Sequence, residues 1–316
     1  LRLCILCSRR SFFLLVCFCI SSSGFVMISG ALRYILGTKD TARGRVIAVY
    51  IAFKLKRALA VLAIVGIAAA AVIIGAQYED SFTAAADSQE GVRLPVIMYH
   101  GLLKDPKLQG KYVISPDLFE QDLQYLQANG YTAVGIEDLL KYVDGKDTLP
   151  EKPVLLTFDD GYYNNYHYAY PLAKQYKMKI VISPVGAYMD KAEEENDPHP
   201  TYSYITWKDM QEMAKSGFVE FQNHTYNLHA SKGGRMGTKK VKGEAQEDYE
   251  ALLREDLGTM QKRMEEYLGQ EPPCFTYPFG AVSEGEPAII REMGFRCTLT
   301  CESRINVITK DPESLY

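Results

Sequence analysis

Val154-Leu155-Leu156-Thr157-Phe158-Asp159-Asp160-Gly161 sets two adjacent carboxylates at the carboxyl end of an apolar run that reads as a buried strand. In a parallel sheet or barrel, catalytic groups collect at the strand C-termini. Gly161 lets the backbone turn sharply there without a Cβ clash. Two neighbouring acids repel each other, so the arrangement is costly unless a cation sits between them or one carries a proton. A metal ion resolves the conflict.

Ligands for such an ion occur about sixty residues on, in Phe221-Gln222-Asn223-His224-Thr225-Tyr226-Asn227-Leu228-His229. Histidines five apart on an α-helix diverge by roughly 140°, so one ion cannot be bound by both from a regular helix. His224 is therefore expected to end a strand and His229 to return from the following loop. One carboxylate and two imidazoles form a tripod with coordination positions open for water and substrate, as in hydrolytic zinc sites.

These segments, with a later Tyr277-Pro278-Phe279-Gly280, resemble three motifs of the polysaccharide deacetylases, the NodB-homology domain of carbohydrate esterase family 4. The resemblance runs from about Leu94 to Tyr316. It implies that Asp159 is the catalytic base, that Asp160, His224 and His229 bind a divalent metal, most simply Zn2+, and that Tyr277, Pro278 and Phe279 lie at the substrate, with Tyr277 or a backbone amide assisting the oxyanion.

Two departures narrow the branch. Most members carry an Arg two positions before the Pro of the third motif, where this chain has Thr276. Most also have a C-terminal Leu-x-His motif for the general acid, and no histidine follows His229. Their two-His motif, His-Ser/Thr-x-x-His, is one residue shorter than the one here. Both missing motifs resemble the branch that deacetylates β-1,6-linked poly-N-acetylglucosamine, where motif order is permuted and the acid histidine lies early, as in Met98-Tyr99-His100-Gly101. Elimination reaches the same residue. Of the five histidines, two are metal candidates, His199 sits between two prolines in an acidic loop, and His167 lies in a Tyr- and Asn-rich stretch expected to be helical. Only His100 ends an apolar strand, which opens it onto the face that holds Asp159.

The chain of 316 residues is 47% hydrophobic and 23% charged, an ordinary globular composition. Residues 1–57 are basic and partly apolar: ten Lys/Arg against Asp40 alone give +9, so of the net −4 the remainder carries −13. An acidic domain argues against a nucleic-acid partner. Residues 58–76 form an uncharged run of nineteen, long enough to span a bilayer core. Lys54, Lys56 and Arg57 precede it and Glu79 and Asp80 follow, which places the catalytic domain outside a cell membrane on a single-pass anchor, or secreted if the span is cleaved near Ala84-Ala85-Ala86. Some of the first fifty residues, whose first Met is Met27, are expected not to belong to the mature protein. Cys274, Cys297 and Cys301 could support one bridge from Cys297, and nothing requires it.

After a polar, Ala-rich linker over 77–93, the segment 94–316 alternates strand and helix patterns. Ser115 caps a helix with Pro116 at its first position, and Gly130 stops it. Thr132 to Ile136 reads as a strand, Glu137 to Val143 as a helix, and Lys179 to Ser183 as a strand. Thr206 caps a helix through Met213, and a long charged helix spans Glu247 to Leu268. Cys274 to Tyr277 and Phe295 to Leu299 read as the last strands. Repeated β-then-α order implies an α/β fold with a parallel barrel, in agreement with the distorted (β/α)7 barrel that the resemblance implies. Trp207 reads as core packing at a first helical turn, and Lys232, Arg235, Lys239, Lys240 and Lys242 as a solvated loop.

The expected function is metal-dependent removal of N-acetyl groups from N-acetylglucosamine polysaccharide, with Asp159 as base and His100 as acid. Two alternatives stay open: O-acetyl or peptidoglycan deacetylation on the same fold, and glycan binding without catalysis. Two-His-one-carboxylate iron oxygenases share the ligand set but fit poorly with paired acids before both histidines.

Overall fold

A computed structural model describes residues 91–316 and, before them, Gly66 alone. The basic segment, the apolar run 58–76 and residues 77–90 of the linker lie outside the described residues. Among the described residues no helix is long and apolar enough to cross a membrane.

The first half runs β1 (Val92–Leu94), β2 (Val96–Tyr99), β3 (Gly101–Leu102), β4 (Val113–Ile114), α1 (Pro116–Ala128), β5 (Thr132–Ala133), α2 (Ile136–Val143) and β6 (Pro153–Asp160). The second runs α3 (Tyr170–Tyr176), β7 (Ile180–Pro184), α4 (Gly186–Glu195), α5 (Trp207–Lys215), β8 (Val219–Phe221), the hairpin β9 (Ser231–Lys232) with β10 (Arg235–Met236), α6 (Gln246–Leu268), β11 (Cys274–Thr276), α7 (Glu286–Glu292), β12 (Cys297–Leu299) and β13 (Asn306–Ile308).

β6 is the centre, and all eight of its residues are buried. It pairs in parallel with β2, where Tyr99 stands opposite Phe158, and with β7, where Asp159 stands opposite Ser183. β5 also pairs with β6, and β8 with β7. A parallel bridge from Asn223 to Phe275 then links β8 to β11, which pairs with β12. The sheet curls. Strands two apart in a flat sheet are separated by roughly 9–10 Å, yet Ser183 Oγ on β7 lies 2.8 Å from Thr276 Oγ1 on β11. The two ends of the series meet as well, with Met98 on β2 4.0 Å from the Cys301 sulfur just past β12. Among the described residues no strand pairing joins β2 to β12, and β1 pairs antiparallel with β13 instead. The expected parallel barrel is thus present as a curled series closed by side chains.

Period-two alternation sorts the side chains. Val154, Leu156 and Phe158 of β6 and Ile180 and Ile182 of β7 face the large outer core with α1, α3 and α5. Leu155, Val181 and Cys274 belong to a second cluster with α2. Thr157, Asp159, Ser183 and Thr276 follow in phase with that second set and are buried.

Local chemistry explains the helix ends. Ser115 Oγ accepts the Leu118 N–H at 3.0 Å, and Gly130 takes φ of 76° after α1. Thr206 and Asp209 form a reciprocal capping box on α5. β5 is shorter than expected because Ile136 opens α2, where the Asp138 carboxylate accepts from Gly135 N–H and Glu220 of β8 accepts from Glu137 N–H. His167 falls in a π-helical turn, Asn165–Ala169. Trp207 is fully buried and donates to Asp190 at 2.6 Å. Arg235 of the basic loop pairs with Glu244. All three domain cysteines are free, Cys274 and Cys297 buried opposite one another and Cys301 exposed.

Phe119 is fully buried, with ring centroids 5.1 Å from Tyr99 and 5.2 Å from Phe158, both edge-on. Phe119→Ala is expected to destabilise the domain by about 3–5 kcal/mol, read as a fall in the denaturation midpoint at unchanged slope.

Candidate metal centre

Asp159 ends the lumen-facing phase of β6. Asp160 then leaves the strand at φ of 71°, and Gly161 continues at φ of 73°. A left-handed backbone costs a residue with a Cβ roughly 1–2 kcal/mol, so the surroundings hold this turn. The Gly161 carbonyl accepts from Ile205 N–H at 2.9 Å, and a Cβ on Gly161 would stand 2.5 Å from the Pro184 Cβ.

His224 comes just after the strand bridge at Asn223, and His229 returns from the loop beyond it, as the spacing requires. His224 Nδ1 donates to the Thr276 carbonyl at 2.7 Å, which fixes the tautomer and leaves Nε2 as the free donor atom. That Nε2 lies 3.6 Å from Asp160 Oδ1, and His229 Nε2 lies 3.1 Å from the same oxygen. One ligand atom from each of the three residues falls within 4.8 Å of the others. Asp160 Oδ1 is buried with no hydrogen-bond partner. An orphaned carboxylate oxygen facing two imidazole nitrogens is a donor set that a divalent cation completes, with positions left open.

The surroundings drive the two acids apart. Burial pushes the Asp159 carboxyl above its ordinary range, against the pull of His224 and His100. Burial acts upward on Asp160 too, but the facing His224 imidazole and the charges of His229 and His100 outweigh it, so that carboxyl is held low. Burial and the neighbouring His224 bring the His229 imidazole down to about 4, making it a neutral donor at pH 7. One acid is suited to hold an ion and its neighbour to take a proton.

His100 also faces Asp159, its Nε2 3.9 Å from Asp159 Oδ2. β2 and β6 are parallel neighbours, so both residues leave the barrel at one end. Asp159 Oδ1 is buried without a hydrogen-bond partner.

Residues 146–298 match the family model described as Polysaccharide deacetylase. This stretch is a polysaccharide deacetylase domain. The chain is 26% identical over 225 residues to the poly-beta-1,6-N-acetyl-D-glucosamine N-deacetylase of Escherichia coli K12, covering 66% of this chain and 34% of that protein. The chain thus spans about a third of that relative's length. Two solved structures are similar: a de-N-acetylase from Aggregatibacter actinomycetemcomitans, at 29% identity and TM-score 0.60 over 70% of this chain and 92% of that one, and IcaB from Ammonifex degensii, at 28% and 0.59 over 70% and 89%. The family match takes in Asp159, Asp160, His224, His229 and the third motif, whereas His100 precedes it.

Within the deacetylase domain the third motif divides. Phe279 is half exposed, at φ of 59°, with its ring centroid 4.6 Å from that of His229. Pro278 is buried beneath it. Tyr277 does not reach the metal cluster: its ring packs with Phe275, Leu257, Ile290 and Phe295, and its N–H donates to Leu299. The cause is strand phase, since Tyr277 shares the outward face of Phe275 while Thr276 points to the lumen. The expected oxyanion role of the Tyr277 side chain is corrected accordingly. Residues that the sequence did not single out also frame the site. Tyr112 tilts over His100 at 4.9 Å, Tyr188 donates to the His229 carbonyl at 2.9 Å, and Tyr204 lies between Tyr188 and Tyr162 at 4.6 and 5.1 Å. Among 22 tyrosines no spacing distinguishes these.

The full chain is expected to bind about one divalent ion, and the double variant His224→Ala, His229→Ala to lose it, because two of three ligands are gone. Elemental analysis after gel filtration checks this, and full occupancy in the double variant would remove the assignment.

Proposed function

We propose that the chain hydrolyses the N-acetyl groups of a poly-N-acetylglucosamine, releasing acetate and leaving free amines on the polymer. The observation that carries this reading is that Asp159 adjoins both the Asp160, His224 and His229 cluster and the His100 imidazole. The relatives support it: the E. coli protein is named a poly-beta-1,6-N-acetyl-D-glucosamine N-deacetylase, and the Aggregatibacter protein a de-N-acetylase.

Asp160, His224 and His229 would hold a divalent ion, zinc by the nitrogen-rich donor set, which when bound supplies Lewis acidity toward the acetamide carbonyl. Asp159 accepts a proton from the attacking water, and burial makes it a stronger base than an exposed carboxylate. His100 in its protonated form gives a proton to the nitrogen as the C–N bond breaks, and the proton on Asp159 restores it. The half-exposed rings of Tyr112 and Phe279 offer apolar faces to sugar rings at the mouth.

The same reading assigns residues 58–76 as a membrane anchor with the deacetylase domain outside the cell, supported by Lys54, Lys56 and Arg57 before the span and Glu79 and Asp80 after it.

Asp159→Asn keeps the size of the side chain but cannot take the proton. Turnover is expected to fall roughly 10²-fold or more at unchanged metal content; acetate release with near-normal turnover would move the base elsewhere. His100→Ala is expected to lower N-acetyl turnover roughly 10²-fold and to affect an activated ester much less, since a good leaving group needs little protonation. Equal losses on the two substrates would show that His100 is not the acid.

A further inference from the structure

α6 contributes no ligand to the metal cluster, yet its buried face is not wholly apolar. Asp256 and Gln261 are buried there beside Leu253, Leu257, Met260 and Met264. A buried carboxylate in mid-helix is unfavourable unless its oxygens are hydrogen-bonded. Both oxygens of Asp256 are used on one short stretch: Oδ1 accepts from Tyr226 N–H and Oδ2 from Asn227 N–H, each at 2.8 Å. Those two residues lie between His224 and His229.

The rest of the loop is tied to the same helix. Asn223 Nδ2 donates to the Leu257 carbonyl and to Gln261 Oε1, both at 3.1 Å, and Asn223 Oδ1 accepts from Thr225 N–H at 2.9 Å. Thr225 is held at φ of 75°. From the opposite side, Gly186 N–H donates to the Thr225 carbonyl at 3.1 Å and Ala187 N–H to the Tyr226 carbonyl at 2.7 Å. Neither helix nor strand sets the path from His224 to His229, so these side-chain and cross-loop bonds must. Among the described residues Asp256 is the one carboxylate that bonds two consecutive N–H groups of this loop, acting as the anion in a backbone nest.

We propose that Asp256 is a positioning residue of the metal centre: its two oxygens set the loop that brings His229 to Asp160. The proposal rests on the reading of Asp160, His224 and His229 as ligands. It concerns how their geometry is held, and no catalytic step passes through Asp256.

Cobalt(II) titration of the full chain, followed by its visible ligand-field bands, separates the possibilities. Asp256→Asn keeps the shape but turns an N–H donor toward a backbone N–H. It is expected to weaken cobalt binding about 10–100-fold, the scale for partners behind metal ligands, and to shift the bands as His229 is released. Asp256→Ala should act in the same direction. Glu255→Gln removes the same charge from the exposed neighbouring position and should leave affinity and bands unchanged. If Asp256→Asn folds with unaltered affinity and bands, the proposal is overturned; a merely structural role would lower the melting temperature of the metal-free chain and move neither. Should both Asp256 variants fail to fold, Asn227→Pro, which deletes one of the two N–H donors from outside the helix, is read by the same titration with the same two outcomes. A native chain that takes up no cobalt overturns the ligand reading and this proposal together.

Discussion

Consecutive carboxylates at the end of a fully buried strand impose the constraint on which the rest of the domain depends. Asp159 and Asp160 cannot both be buried, ionised and alone. The chain meets this with backbone and with charge. A left-handed residue at Asp160 turns its carboxylate out of the strand's alternation, so the neighbours face different partners. His224 and His229 then stand against one acid and His100 against the other. The curl of the sheet follows from the same need, because a flat sheet could not bring groups from β2, β6 and the loop after β8 around one point.

Thr276 shows how a familiar position is reused. Where most of the family resembled by this chain carries Arg, a hydroxyl pairs with Ser183 in the lumen, and the same residue's carbonyl fixes the ring of His224. With no guanidinium at that position, burial outweighs the pull of His224 and His100 and raises the Asp159 carboxyl.

Much of this was legible in the sequence, and the physics says which parts. Ser115, Pro116 and Gly130 bounded α1 because caps and breakers are local chemistry. The histidine spacing excluded a helix on geometry alone. Ile136 was misplaced into a strand because the carboxylate that helps start α2 comes from Glu220, more than eighty residues away. Tyr277 was misassigned although the information was present: the alternation that put Phe275 outward puts Tyr277 there too. Asp256 carried a weak signal, an acid on the apolar stripe of a long helix, which reads as noise until the loop it grips is seen.

The seam between β2 and β12 gives the barrel a beginning and an end. A continuous ring of hydrogen bonds fixes the circumference of a barrel, whereas here the terminal strands touch through the Met98 thioether and the Cys301 thiol, a contact with no preferred register. The candidate metal ligands sit on the side anchored by β6, β7, β8 and α6, while His100 follows the strand that borders the seam. The seam therefore runs beside His100, while Asp160, His224 and His229 lie on the side closed by strand pairing.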